Sequence, residues 1–190
     1  MKKKNTLIII FCLILIFASQ TFSQYKDFDR PNKNNYGLGK WTEDTLGNYR
    51  VVIKVNNKRD AVLAHIPWRR SDKYPASKEF LIIDAKTNKQ IDNKFLVYSN
   101  QEYGDIVFQP VTIPGEYYIY YLPYLHEGMA YWGDIKYMTL TNCTDANWLK
   151  KNSLDRITSA VLKKIPVAEI IQFQYKDSIN AMFPMEVIAT

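Results

Sequence analysis

The residues that could do chemistry are few, and their spacing narrows what that chemistry could be. Glu102 and Asp105 form the best local carboxylate pair. Glycoside cleavage uses two carboxyl groups held at a defined separation across the scissile bond. Gly104 lies between these two, however, and acids three apart around a glycine fit a turn better than an active site. His65 and His126 are the only histidines and lack metal-ligand spacing. His65 shares a strand face with Ala61 and Leu63, which predicts a half-buried, hydrogen-bonded ring. Cys143 has no thiol-enzyme signature around it, and Asn142-Cys143-Thr144 would accept a glycan only in a eukaryotic host. No Gly-x-Ser-x-Gly, His-Glu-x-x-His or phosphate-binding glycine loop occurs. The expectation is a chain with no catalytic set of its own, no metal and no cofactor.

Binding chemistry has more candidates. In Tyr117-Tyr118-Ile119-Tyr120-Tyr121 alternate side chains face opposite sides of a sheet. Tyr118 and Tyr120, with Leu122, would share one side and could offer aromatic faces and hydroxyls to a pyranose ring. A central strand covered on both faces explains the same pattern and is the favoured explanation. Pro67-Trp68-Arg69-Arg70 places two guanidinium groups beside an indole, a combination suited to an acidic glycan. Against that stands a structural role, in which Arg69 or Arg70 pairs with Asp72, Asp84 or Glu102 and pins a long loop. The 126–134 segment adds Trp132 among acids and aromatics, without an ordering that specifies a reaction.

These residues must be positioned by the elements around them. Lys2–Lys3–Lys4, an apolar run over 7–18 and small residues at Thr21 and Ser23 predict a signal peptide over 1–23. The apolar run is shorter than the roughly 20 residues of a membrane span, so export to a periplasmic or extracellular compartment is expected, with no membrane partner after cleavage. The 25 Lys+Arg against 19 Asp+Glu give +6, but the three leader lysines account for half of that excess. Charge therefore gives no case for a nucleic-acid partner. Cys12 leaves with the leader, and the remaining Cys143 cannot close an internal disulfide.

A polar leader is expected over 24–47, joining the fold near Trp41. Strands are predicted at 49–55, 61–66, 80–84, around 95–98, 105–109 and 115–122, the first two as hairpin partners. Asp145 or Thr144 caps one helix over about 145–163, Pro166 closes it, and a last strand covers 168–175. The rhythm of short strands indicates a mainly β chain, an antiparallel β-sandwich-like module over 48–190 with one C-terminal helix.

The order of several of these segments resembles the N-terminal β-sandwich of glycoside hydrolase family 123-like proteins. The resemblance is carried by His65 through Arg70, by Asp84-Ala85 with Thr87, and by Glu102 through Asp105 with Phe108-Gln109-Pro110. It continues in Tyr117 through Tyr124 and in a second patch over 183–190. In that family the sandwich precedes a (β/α)8-type barrel. Characterised members are β-N-acetylgalactosaminidases that use the substrate acetamido group as nucleophile, with an adjacent Asp–Glu pair in the barrel. A barrel needs about 250 residues, so the resemblance implies a module cut short before the catalytic domain. Its implied role is to support, or present substrate to, a carbohydrate-cleaving domain. The alternative is a stand-alone secreted carbohydrate-binding protein. The implied partners are a glycan or a carbohydrate-active catalytic domain.

Overall fold

Val51, Ile53 and Val55 alternate with Arg50, Val52 and Lys54 along one strand, and this alternation sets the plan of the fold. The computed structural model describes residues 36–68, 70–127 and 134–176. Contacts divide the chain at residue 32, and every described residue belongs to the second unit. The expected signal peptide, the 183–190 patch, Arg69 and Trp132 lie outside the described residues.

Ten strands are described: β1 (Tyr36–Leu38), β2 (Tyr49–Val55), β3 (Val62–Ile66), β4 (Phe80–Asp84), β5 (Lys94–Ser99), β6 (Gly104–Phe108), β7 (Gly115–Tyr121), β8 (Tyr124–Glu127), β9 (Asp134–Tyr137) and β10 (Glu169–Tyr175). A five-stranded sheet runs β1-β10-β2-β7-β4, a three-stranded sheet runs β3-β6-β5, and β8 and β9 form a hairpin. All pairings are antiparallel except β1 with β10. The inward residues of the two larger sheets make one core. Val51, Ile53, Ile82, Ile119 and Phe173 from the first meet Val62, Ala64, Ile66, Ile106 and Phe108 from the second. The chain is therefore mainly β and sandwich-like, as its alternation predicts.

Four expectations change in detail. β3 is not the hairpin partner of β2; it pairs with β6 in the opposite sheet. Both strands must turn their apolar alternates toward one core from opposite sides, so the 56–61 connection arches between sheets. The polar leader is drawn into the fold before Trp41, because β1 pairs with β10 and Gly39 N–H donates to Tyr175 O. A short helix, α1 (Glu43–Leu46), follows. His126 and Glu127, at the start of the 126–134 segment, belong to β8, which pairs with β9, Tyr124 opposite Tyr137 and Glu127 opposite Asp134. The single C-terminal helix is three short pieces: α2 (Ala146–Lys151), a 3-10 turn (Leu154–Arg156) and α3 (Ser159–Leu162). Asp145 caps α2 through Trp148 N–H, as expected, but Ser153 takes a left-handed backbone and Thr158 caps α3 afresh. The breaks let Trp148, Leu154 and Leu162 all reach Leu63, Phe95, Val97 and Val107 on the outer face of the three-stranded sheet. One straight helix would carry its apolar stripe past a sheet only three strands wide.

Two local arrangements lock the sandwich. Trp68 is buried in the core and sits over Gly104, where an added Cβ would lie 2.2 Å from the indole. Glu79 and Lys94, both about 2% exposed in their side chains, form an ion pair at 2.6 Å. Glu79 Oε1 also accepts from Phe80 N–H, Oε2 accepts from Thr141 N–H and Thr141 Oγ1–H, and Lys94 Nζ donates to Phe80 O. Burial pushes the Glu79 carboxyl up, but Lys94, Thr141 and the Phe80 amide outweigh it and hold it below 4.5. Asp84 is also held low: burial raises its carboxyl, while Thr112 and the Thr87 and Lys86 amides lower it by more.

Three outcomes follow from these contacts. Lys94→Met strands a buried carboxylate and lowers unfolding stability by about 3–5 kcal/mol. The Glu79→Gln/Lys94→Met double variant recovers part of that loss, as denaturant titrations of all three proteins would show. Carboxyls held low in the folded state stabilise it fully above their unfolded values, and that stability disappears as pH falls through the folded ones. Melting temperature should thus be level from pH 7 to about 5 and drop below about 4, with a shallower drop in Glu79→Gln. Gly104→Ala overpacks the Trp68 site and costs about 1–3 kcal/mol, read as a lower denaturation midpoint at unchanged slope.

Candidate functional site

The outer face of the five-stranded sheet collects the polar and aromatic alternates of its strands. Register places Gln174, Arg50, Tyr120 and Leu81 in one row across β10, β2, β7 and β4. The next row holds Gln172, Val52, Tyr118 and Ile83. Arg50 stands at the centre and is only 9% exposed. Its guanidinium carbon lies 4.2 Å from the Tyr118 ring centroid, 4.6 Å from Trp41 and 5.8 Å from Tyr120. Arg50 Nε–H donates to Gln174 Oε1 at 2.5 Å and Nη1–H to the Tyr120 hydroxyl at 2.9 Å. Gln174 Nε2–H in turn donates to Gln172 Oε1 at 2.6 Å.

The chain before β2 completes this cluster. Trp41 is anchored by its indole N–H on Gly47 O at 2.7 Å and meets Tyr120 edge to face. Gly39 makes room for it, since a Cβ there would fall 2.1 Å from the Trp41 ring and 3.0 Å from Gln174 Oε1. Tyr118 and Tyr120 therefore share a face as their alternation predicts, but their rings pack around a cation and do not form an open platform. Leu122 does not join them. Its backbone turns left-handed at φ 59, and the side chain swings into the core. Arg50, Trp41 and the two glutamines carry no motif that flags them in the sequence. Only the strand register, with Arg50 facing Tyr120 and Gln174, brings them together.

The Pro67–Arg70 segment lies elsewhere and has another character. Trp68 and Arg70 are each 3% exposed, so the surface position expected for them is not what the fold provides. The Trp68 indole N–H donates to Asn100 O at 2.9 Å, and its ring lies 5.2 Å from Tyr121. Arg70 grips Asp72 through Nε and Nη2 at 2.9 and 3.0 Å and packs over the Trp68 ring. An apolar ring and a satisfied guanidinium are both drawn inward here, and Asp72 is one of the three carboxylates named as partners from the sequence. The pair lies within the loop; Arg70 joins it to the sandwich by packing over Trp68 and by donating its backbone N–H to Gln101 O.

Glu102 and Asp105 also have separate settings. Glu102 sits exposed in a turn closed by Asn100 Oδ1, which accepts from the Glu102 and Tyr103 amides. Asp105 Oδ1 lies 2.6 Å from His65 Nδ1 across β6 and β3. The His65 ring packs at a tilt on Tyr103, and Tyr103 likewise on Tyr98, at 5.2 Å each. The remaining enclosed carboxylates serve the fold. Asp60 accepts from Gln109, Asn152 and Lys151, and Asn152 first, then Lys151 and Gln109, hold its carboxyl below 3.8 against the opposing effect of burial. Among the described residues no group of three or more His, Cys, Asp or Glu could hold a metal ion.

The family model described as Glycoside hydrolase 123, N-terminal domain, matches residues 39–176. No curated protein and no solved structure matches the chain. The match begins at the glycine that seats Trp41 and ends just after β10, so it takes in every described strand except β1, and the Arg50 cluster. By that match, the chain belongs to the glycoside hydrolase 123 N-terminal domain family.

Proposed function

We propose that this chain is the non-catalytic N-terminal module of an exported glycoside hydrolase, and that it supports, or presents substrate to, a carbohydrate-cleaving domain. The family match over residues 39–176 carries this reading. The use of the carboxylates supports it. Asp60, Asp72, Glu79, Asp84 and Asp105 are each bound to a residue or backbone amide of the fold, an arrangement that stabilises a scaffold and leaves little for acid–base exchange with a substrate. Export rests on the 1–23 leader pattern. The sugar-binding reading is favoured by half-exposed Tyr98 packed at a tilt on Tyr103 beside Asp105, which offers aromatic surface with a carboxylate at its edge.

Catalysis by the module alone provides the test. Incubated with aryl β-glycosides, including the N-acetylgalactosaminide, the purified chain should release aryl alcohol no faster than buffer. Glu102→Gln should leave that background unchanged. Turnover that disappears in Glu102→Gln would contradict a non-catalytic role.

A further inference from the structure

Arg50 is held by neutral groups alone: three aromatic rings, a glutamine and a tyrosine hydroxyl. A guanidinium has five N–H donors and a fixed positive charge. Here Nε and Nη1 have one partner each, both neutral, and Nη2 has none among the described residues. Arg70 and Lys94, also buried, each hold an acid within 3 Å, whereas no described carboxylate pairs with Arg50. Arg50 Nη2 is not one of the buried side-chain atoms that lack a partner, so the free N–H groups open to solvent, where a counter-ion can reach them.

The surroundings say where that counter-ion goes. Trp41 and Tyr118 pack against the guanidinium, the Gln172–Gln174 relay fixes the Nε edge, and the Tyr120 hydroxyl takes one Nη1 proton. One Nη1 proton and both Nη2 protons remain, and a parallel pair of guanidinium N–H groups matches the two oxygens of a carboxylate. Beside it stand half-buried Trp41, Tyr118 and Gln172, aromatic and amide side chains of the kinds that contact a sugar ring and its hydroxyls.

We propose that this outer-face cluster is a binding site for a carboxylate-bearing sugar, a uronic acid unit, with Arg50 taking the carboxylate end-on and Trp41, Tyr118 and Gln172 contacting the ring. The inference rests on the carbohydrate role proposed above and adds the class of glycan. Arg50 is the charge-selecting residue, and Gln174 is a positioning residue that holds the guanidinium edge outward.

The experiment is a set of melting curves with methyl β-D-glucuronide, methyl β-D-glucoside and acetate, each on the wild-type chain, Arg50→Lys and Gln174→Glu. The glucuronide should raise the wild-type melting temperature by on the order of 3 °C at saturation. The glucoside and acetate should each give less than about a third of that rise, since each supplies only half of the recognised chemistry. Arg50→Lys should lose the response, because an ammonium lacks the bidentate edge. Gln174→Glu places a carboxylate beside Arg50, so the ligand-free protein should melt higher and no longer respond. This variant keeps the test valid even if Arg50→Lys folds poorly. An equal rise with acetate would overturn the sugar assignment and mark the site as one for a protein carboxylate. An equal rise with the glucoside that survives in Gln174→Glu would overturn the acidic-sugar class while leaving a carbohydrate role standing. No rise with any of the three, or an unchanged melting temperature in ligand-free Gln174→Glu, would overturn the site itself.

Discussion

The Glu79–Lys94 pair is the contact on which the assembly of the sandwich depends. Glu79 immediately precedes β4 in the five-stranded sheet, and Lys94 opens β5 in the three-stranded one, so the pair joins the two sheets through side chains. The same carboxylate receives Thr141 from the segment between the β8–β9 hairpin and α2. Three separate parts of the chain thus meet at one buried group. Its two oxygens accept four hydrogen bonds, which satisfies the condition under which a buried charge is tolerated. Hydrophobic burial supplies the bulk of the driving force, but it is not directional. The ion pair adds the geometric demand that one alignment of the sheets be met.

With the sheets held, β7 connects core and surface. Its Tyr117, Ile119 and Tyr121 face the second sheet, and the Tyr117 hydroxyl is closed off by the Thr112 backbone. Tyr118 and Tyr120, one residue out of phase, face the other way and meet Arg50 from β2. A rigid inner face therefore fixes the rings that surround the guanidinium. Burial on both faces and a shaped polar cluster come from one strand, and the cluster inherits the precision of the core.

Much of this plan could be read directly from the residues. The alternation in 49–55, 80–84 and 115–121 located the three central strands almost to the residue, because period-2 burial is a local property. The Asp145 cap was equally local. What escaped was non-local. β3 looks like a hairpin partner of β2 until the shared core forces it into the other sheet. β1 is three residues long, too short to show a period, and is defined by β10, which lies over 130 residues away. Trp68-Arg69-Arg70 looked like surface chemistry because two cations and an indole are usually exposed. Asp72 and Gly104 provide the reason Trp68 and Arg70 are not. Conversely, nothing in the sequence singles out Arg50. Its importance depends on Trp41, Tyr118, Tyr120 and Gln174, which register and a glycine-lined edge bring to it.

The most direct measurement is an NMR titration of the 15N-labelled chain with a glucuronic-acid-containing oligosaccharide, following side-chain N–H signals. The Arg50 Nε–H, the Trp41 indole N–H and the Gln172 and Gln174 amides should shift together and saturate at one ligand concentration, while the Trp68 indole N–H stays in place. Signals around Arg50 that remain fixed while those of the Tyr98–Tyr103 pair move, or no movement anywhere, would contradict the view that the five-stranded sheet presents its outer face to an acidic glycan.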